Sequence, residues 1–355
     1  MGLGKSALFL LPARDTPSSR FRVLQYLPRL HADGWRTCIC ACAPSAEPPA
    51  KDGVLRTVAQ GFASVLRVPN RLTAVLRAPA YDVVYIEREL LPPFTPVTEE
   101  FVRLLNRNIV FDFDDSLFLR YADRDVNPVA SVVQMARTVI TGNEFLGEWA
   151  LRHNDNVWVL PTPVDTDRFT PDNVRGDGTL LVWTGVSANL RTLLLVREAL
   201  VETAKKRRGL RLRVISDRPP DFDLGIPVEF VPWTYATEVE AVRSADIGIM
   251  PLPEDDWTNG KSGYKVLQYM ACGLASIAAP YGVIADVLDA GKCGLPAQNT
   301  EEWLDALDRL IGEPELREYA AKEARRRAEE IYSINAIYPR WRDVLELQVE
   351  QPAAV

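Results

Sequence analysis

The stretch "ADIGIMPLPEDDWTNGKSGYKVLQYMACGLASIAAP" (residues 245–280) reads as strand, loop, helix, strand. "IGIMPL" and "ASIAAP" are short β-rich runs, and the segment from Tyr264 to Cys272 has apolar residues at helical spacing. The loop between them carries Gly260, Lys261, Ser262 and Gly263, followed by Tyr264 and Lys265. A helix beginning near Gly263 leaves the N–H groups of Ser262, Gly263 and Tyr264 without intrahelical acceptors, which makes an anion site. Glycine lets a phosphate approach the backbone, and Lys261 and Lys265 add point charges. Gln268, four residues after Tyr264 and one turn past Lys265, lies on the same helix edge, where its amide suits a neutral polyol such as ribose. Val266, Leu267, Met270 and Ala271 face the other way as core. The competing reading is a capped helix with solvated lysines.

The same rhythm extends in both directions. "SALFLLP", "TCICACA", "DVVYIE", "NIVFDFD" and "TVITGN" are five expected strands of a first domain, with a first helix from about Pro17 capped by Thr16. The pattern restarts with "TLLVWTG", followed by one long helix "SANLRTLLLVREALVETAKKRR". "LRLRVIS", "VEFVPW", "IGIMPL", "ASIAAP" and "CGLPA" supply further strands. Strands alternating with helices predict an α/β fold with parallel sheets covered on both faces. The expected organisation is a Rossmann-like domain over residues 1–165, a Pro-, Asp- and Gly-rich linker over 166–178, and a second such domain over 179–334. A last helix, about 335–350, is expected to pack back on the first domain. Ligands of such folds bind at the carboxyl ends of the strands, which places the expected site in the crevice between the two sheets.

Bulk properties exclude several classes. The 355 residues carry 41 Lys and Arg against 48 Asp and Glu, a net charge of −7, which argues against nucleic acid as the main partner. Apolar residues make up 47% and charged residues 25%, the balance of a globular chain. The basic run Lys205–Arg213 is read as a solvated helix end stopped by Gly209, with an anionic membrane surface as the alternative contact. No apolar run is long enough to span a bilayer, and "SALFLLP" lacks the layout of a secretory signal. Cys38, Cys40 and Cys42 alternate along one strand and read as reduced core residues of a cytoplasmic protein, not as metal ligands. "MGLGKS" at the start resembles the tail of a P-loop but precedes a strand, where a P-loop follows one.

The segment over residues 245–288, which continues the opening stretch through "YGVIADVL", closely resembles the donor-binding region of family 4 glycosyltransferases, also called group 1 glycosyltransferases. "SSRFRVLQYLPRLHADGW", "YDVVYIERELLPP", "IVFDFDDSLF", "GNEFLGEWA", "VLPTPVDTDRFTP" and "VWTG" resemble the same branch in the same order. The resemblance implies the GT-B fold, with two doubly wound Rossmann-like domains facing across a cleft, the first receiving the acceptor and the second holding the donor. It further implies a retaining, metal-independent transfer from a nucleotide-diphosphate sugar, serving polysaccharide or glycoconjugate assembly. No cofactor is expected beyond the nucleotide-sugar co-substrate. The acceptor would be a saccharide, a lipid-linked sugar or another glycoconjugate, with contact at the inner face of the membrane as an extension of the cytoplasmic assignment. Fixed cations would take the charge of the departing diphosphate. The resemblance assigns that task to Lys261 and Lys265, with Arg191 as a further cation and Gly185 as the close turn. Trp233 and Thr234 match the segment that meets the base. A core ring is the alternative for Trp233.

Asp114 and Asp115 follow the fourth strand and correspond to a His-Asp pair in the broader family, which makes them candidates for orienting the acceptor hydroxyl or steadying positive charge on the sugar. A helix cap is the competing role. Alternation along the strand groups Asp112 with Asp114 on one face. Arg20 and Arg22, opening the first helix, are candidate acceptor or phosphate contacts, and surface cations otherwise. Two departures from the family pattern matter. Gly260 stands where the family has a glutamate that meets the donor sugar, and Gln268 stands at its ribose glutamate; Glu254, Asp255 or Asp256 are alternative sources of the sugar contacts. The first departure favours a non-catalytic nucleotide-sugar-binding protein as the rival reading. A nucleotide-sugar epimerase is weaker, because only His31 and His153 are available.

Overall fold

The structure is a computed structural model that describes residues 5–43, 69, 71–90, 96–172 and 176–347. The first four residues of "MGLGKS", the end of "YDVVYIERELLPP", residues 173–175 of the expected linker and residues 348–350 of the expected last helix lie outside the described residues. Two compact units are present. Residues 1–162 with 338–355 form one, and residues 163–337 form the other.

In the first unit, six parallel strands are ordered β2 (Arg36–Ala43), β1 (Ser6–Ala13), β3 (Val83–Glu87), β4 (Ile109–Phe113), β5 (Thr138–Thr141) and β6 (Val157–Val159). Strands β3, β4 and β5 are buried at every residue, as strands covered on both faces must be. β6 is absent from the sequence-based expectation because its three residues are too few to show a period. Cys38 and Cys40 lie on one face with their sulfurs 3.7 Å apart, and all five cysteines are free thiols.

The second sheet is again parallel throughout, ordered β12 (Leu295–Pro296), β11 (Ala275–Ala278), β10 (Ile247–Met250), β7 (Leu180–Thr184), β8 (Arg211–Ser216) and β9 (Val228–Pro232). The direction of winding reverses between β7 and β10, which makes that boundary the topological switch point. The long helix expected from Ser187 is in fact a 3₁₀ helix over Ser187–Val196 that continues as an α-helix over Arg197–Lys206. The buried residues of its first part are Leu190, Leu193 and Val196, spaced by three, and that spacing matches the three-residue turn of a 3₁₀ helix.

The stretch read as a linker is tied to the second unit where it is described. Val164 bridges to Ser333, and the Arg325 guanidinium donates to the carbonyls of Thr166 (3.0 Å) and Phe169 (2.6 Å). The last helix runs over Ile334–Glu346, and its residues from Tyr338 onward belong to the first unit. There Trp341 stacks on Tyr26 at 4.5 Å, and its indole N–H donates to the Tyr85 hydroxyl at 3.2 Å. No helix among the described residues is long and apolar enough to cross a membrane.

Asp112 does not share the fate of Asp114. It is fully buried and accepts from Arg22 Nε (3.0 Å), Arg22 Nη2 (2.5 Å) and the Tyr85 hydroxyl (2.5 Å). Arg22 also donates to the Leu160 carbonyl at 2.7 Å, so the pair is satisfied inside the core and Arg22 is neither a surface cation nor placed to meet a ligand. Removing one partner strands a buried charge. Asp112→Ala is therefore expected to destabilise the first unit by about 3–5 kcal/mol, read by urea denaturation.

Candidate functional site

The second unit builds its site at the start of the Tyr264–Ala271 helix. Asp255 caps the short Asp256–Asn259 helix by accepting from the Thr258 N–H at 2.6 Å, so this loop carboxylate serves the backbone. The Lys261 N–H then donates to the Thr258 carbonyl at 3.0 Å and closes the turn. Gly263 follows with φ of +65°, the left-handed conformation that a residue with Cβ resists, and it stands at the N-cap of the helix. The helix thus begins where the glycine and lysine pattern placed it, and its first N–H groups have no intrahelical acceptor. Lys261, Ser262, Tyr264 and Lys265 are half-buried, whereas Gln268 is buried.

Lys265 is held by two residues from the end of β7. A Cβ built on Gly185 would come 2.7 Å from Lys265 Cε and 2.9 Å from the Trp183 ring, so a side chain there would have to displace one or both. The Lys265 ammonium lies 5.4 Å from the centre of the Trp183 ring, a cation–π distance. Gly185, Lys265 and Gly263 are therefore elements of one arrangement at the switch point. Trp183 was missed in the sequence, where it is an ordinary aromatic residue of a strand.

The remaining donor-side candidates are placed differently. Arg191 is exposed on the 3₁₀ helix. Trp233 is half-buried against the core that also receives Tyr264, and its indole N–H donates to Glu238 at 2.5 Å. Glu238 is buried and pairs with Arg168 at 2.5 Å. The Thr234 hydroxyl accepts from the Thr237 N–H at 3.1 Å and braces the turn before the Glu238–Arg243 helix.

In the first unit, Asp114 and Asp115 emerge at the end of β4. Asp115 pairs with Arg88 at 3.1 Å. The helix that follows, Leu117–Tyr121, is a 3₁₀ helix with no side-chain cap, so neither aspartate serves as one. Asp114 Oδ1 is buried with no hydrogen-bond partner among the described residues. Burial, reinforced by the Asp115 charge, pushes the Asp114 carboxyl up to about 6. Arg20 is half-buried, its guanidinium 4.9 Å from the Phe21 ring.

Two further residues belong to this edge and were not singled out in the sequence. Glu87, the last residue of β3, is buried; it accepts from the Ser19 hydroxyl through Oε2 and leaves Oε1 without a hydrogen-bond partner among the described residues. Burial pushes it up to about 7. Arg88 adopts φ of +58°, unusual for a residue with a side chain and a mark of a position under local constraint. The available signal was the charged pair Glu-Arg ending an apolar run, the same form that identified the aspartates.

Comparison with known proteins follows the same lines. Residues 178–313 match the family described as Glycosyl transferases group 1. A D-inositol 3-phosphate glycosyltransferase of Saccharomonospora viridis is 26% identical over 205 residues, 49% of this chain and 46% of that protein. The chain spans about half the length of the curated relatives it matches. Among solved structures, sucrose-phosphate synthase from Thermosynechococcus elongatus superposes with a TM-score of 0.69 at 16% identity, covering 97% of this chain and 98% of that one. Anabaena HepE, solved in complex with UDP and glucose, gives 0.69 at 13% identity over 97% and 99%. At such identities the structural likeness shows the fold, which is GT-B.

The raised carboxyls make stability depend on pH with a definite sign. Glu87 and Asp114 hold their protons more tightly when folded, so their contribution is full below the unfolded values near 4 and is lost as pH rises through about 7 and 6. Glu87→Gln removes its share of that loss while Glu99, also raised to about 7 by burial, keeps its own. The variant is expected to gain stability relative to wild type between pH 4.5 and 7, with no difference below that range, as measured by thermal melts across the series.

Proposed function

On the strength of the match over residues 178–313, we propose that this chain is a group 1 glycosyltransferase that transfers a sugar from a nucleotide-diphosphate donor to an acceptor hydroxyl, with retention and without a metal, in polysaccharide or glycoconjugate assembly. The observation that carries this reading is the seating of Lys265 on Gly185 and Trp183 beside a glycine-capped helix start. As the bond from the anomeric carbon to the diphosphate oxygen breaks, negative charge gathers on the departing phosphates. Lys265 and Lys261, with the N–H groups of the helix start, stabilise that charge in place of a cation. The acceptor oxygen bonds to the anomeric carbon and its proton is released.

The first domain receives the acceptor. Asp114 orients its hydroxyl, and Asp115 is held aside by Arg88. UDP bound to the Anabaena neighbour supports a nucleoside diphosphate as the leaving group. The relatives named for D-inositol 3-phosphate make a cyclic polyol one acceptor class to include in a panel, beside saccharides and lipid-linked sugars. We place the protein in the cytoplasm, with peripheral contact at the membrane where a lipid-linked acceptor resides. Gly260, at the place of a sugar-binding glutamate, favours a second reading, a nucleotide-sugar-binding protein without catalysis.

Incubation with UDP, GDP and dTDP sugars, with and without chelator, tests the proposal. Chelator-resistant nucleotide release that is lost in Asp114→Asn is the expected result. Tight binding with no release from any donor would favour the binding protein. Lys265→Ala is expected to weaken binding of the nucleoside diphosphate by about 1–3 kcal/mol, measured by calorimetry.

A further inference from the structure

Strands β7 and β10 are neighbours, yet they are paired only at Leu181↔Ile247 and Val182↔Gly248. On their outer sides both continue: β7 pairs with β8 as far as Thr184↔Ile215, and β10 with β11 as far as Met250↔Ala278. The two strands therefore part from each other at their carboxyl ends while each remains anchored to its other neighbour. The gap is filled by one side chain. The Tyr269 hydroxyl accepts from the Thr184 N–H at 3.2 Å and donates to the Ile249 carbonyl at 3.2 Å. Tyr269 is fully buried, and its ring lies on Gly248, where a Cβ would come 2.2 Å from the ring. Glycine at the last paired position of β10 is what admits the ring.

We propose that Tyr269 is a positioning residue for the donor diphosphate, its hydroxyl standing in for the missing rung between β7 and β10 and so fixing Gly185 beneath Lys265. This rests on the donor-site reading above. Tyr269 and Lys265 are four residues apart on one helix and share a face. Thr184, which the hydroxyl holds, is the residue before Gly185. The hydroxyl and the ammonium are thus linked by one helical turn on one side and by one peptide on the other. Gly185 and Lys265 are in close approach, since a methyl group at Gly185 would come 2.7 Å from Lys265 Cε and displace the lysine. Loss of the hydroxyl leaves a buried N–H and a buried carbonyl unpaired, or draws the strands together to pair them. Either response shifts Gly185 against the lysine and leaves the rest of the domain with the same apolar ring in its core.

Tyr269→Phe removes the oxygen alone, and Gly248→Ala displaces the ring by an independent route. Calorimetry with UDP, GDP and dTDP, each beside its parent nucleoside, separates diphosphate from base, and amide exchange at Thr184 reports the strand end. Both variants are expected to bind the wild type's preferred diphosphate about tenfold more weakly, with affinity for the nucleoside unchanged and the Thr184 amide exchanging faster. A purely structural tyrosine would weaken both ligands in parallel, and that result, or a diphosphate affinity within about twofold of wild type, overturns the role. If wild type binds none of the three diphosphates, the donor reading fails and this role falls with it; if wild type binds and the variants match it, only the positioning role fails.

Discussion

A parallel sheet in which the winding reverses must contain two neighbours whose chains leave to opposite sides, and such neighbours part at their carboxyl ends. In the second domain that constraint falls on β7 and β10, and the polar features of the domain are arranged around it. Gly185 continues β7 into the opening, Gly248 ends the pairing on β10, and the Tyr264–Ala271 helix starts with Lys265 over the gap. The apolar side of the same helix, with Val266, Leu267, Met270 and Ala271 buried, fixes its height above the sheet. Burial on one face and chemistry on the other are thus set by a single eight-residue element.

In the first domain the carboxyl ends of β3 and β4 carry charge. Its strands end in acids: Glu87 on β3, Asp112 near the end of β4, and Asp114 and Asp115 just beyond. Arg22 satisfies Asp112, and Arg88 satisfies Asp115. Glu87 and Asp114 have no guanidinium in a comparable salt bridge among the described residues, and burial holds both carboxyls above the ordinary range. The sheet edge therefore contains two closed ion pairs and two acids that keep their protons to higher pH than ordinary carboxyls, Asp114 up to about 6 and Glu87 up to about 7. Such an edge can accept hydrogen bonds and exchange a proton without the cost of opening a salt bridge.

Most of the architecture was legible in the residues, because apolar runs of four to eight and helices of ten or more have distinct periods. The glycine-capped helix start was legible for a different reason: Gly263, Lys261 and Lys265 are adjacent in sequence, so a local pattern captures a local structure. What stayed hidden depended on distance along the chain. Tyr269 looks like one more aromatic residue of a buried helix until Gly248 and Thr184, 21 and 85 positions away, are known to face it. Asp112 looked like its neighbour Asp114 because alternation reports the face of a strand and not the arginine waiting there. The 3₁₀ segment was misread because leucines at spacing three fit the opening of an α-helix until the fourth position fails to be buried.

The returning helix carries a consequence for how the protein comes into being. Phe9 and Tyr26 precede by more than 300 positions the ring that covers them, Trp341. A chain emerging from the ribosome can complete the lobe of residues 163–337 before its amino-terminal lobe has the piece that closes its core. The lobe that leads along the chain is thus the one whose core closes later, and Phe9 and Tyr26 are left uncovered until Trp341 arrives.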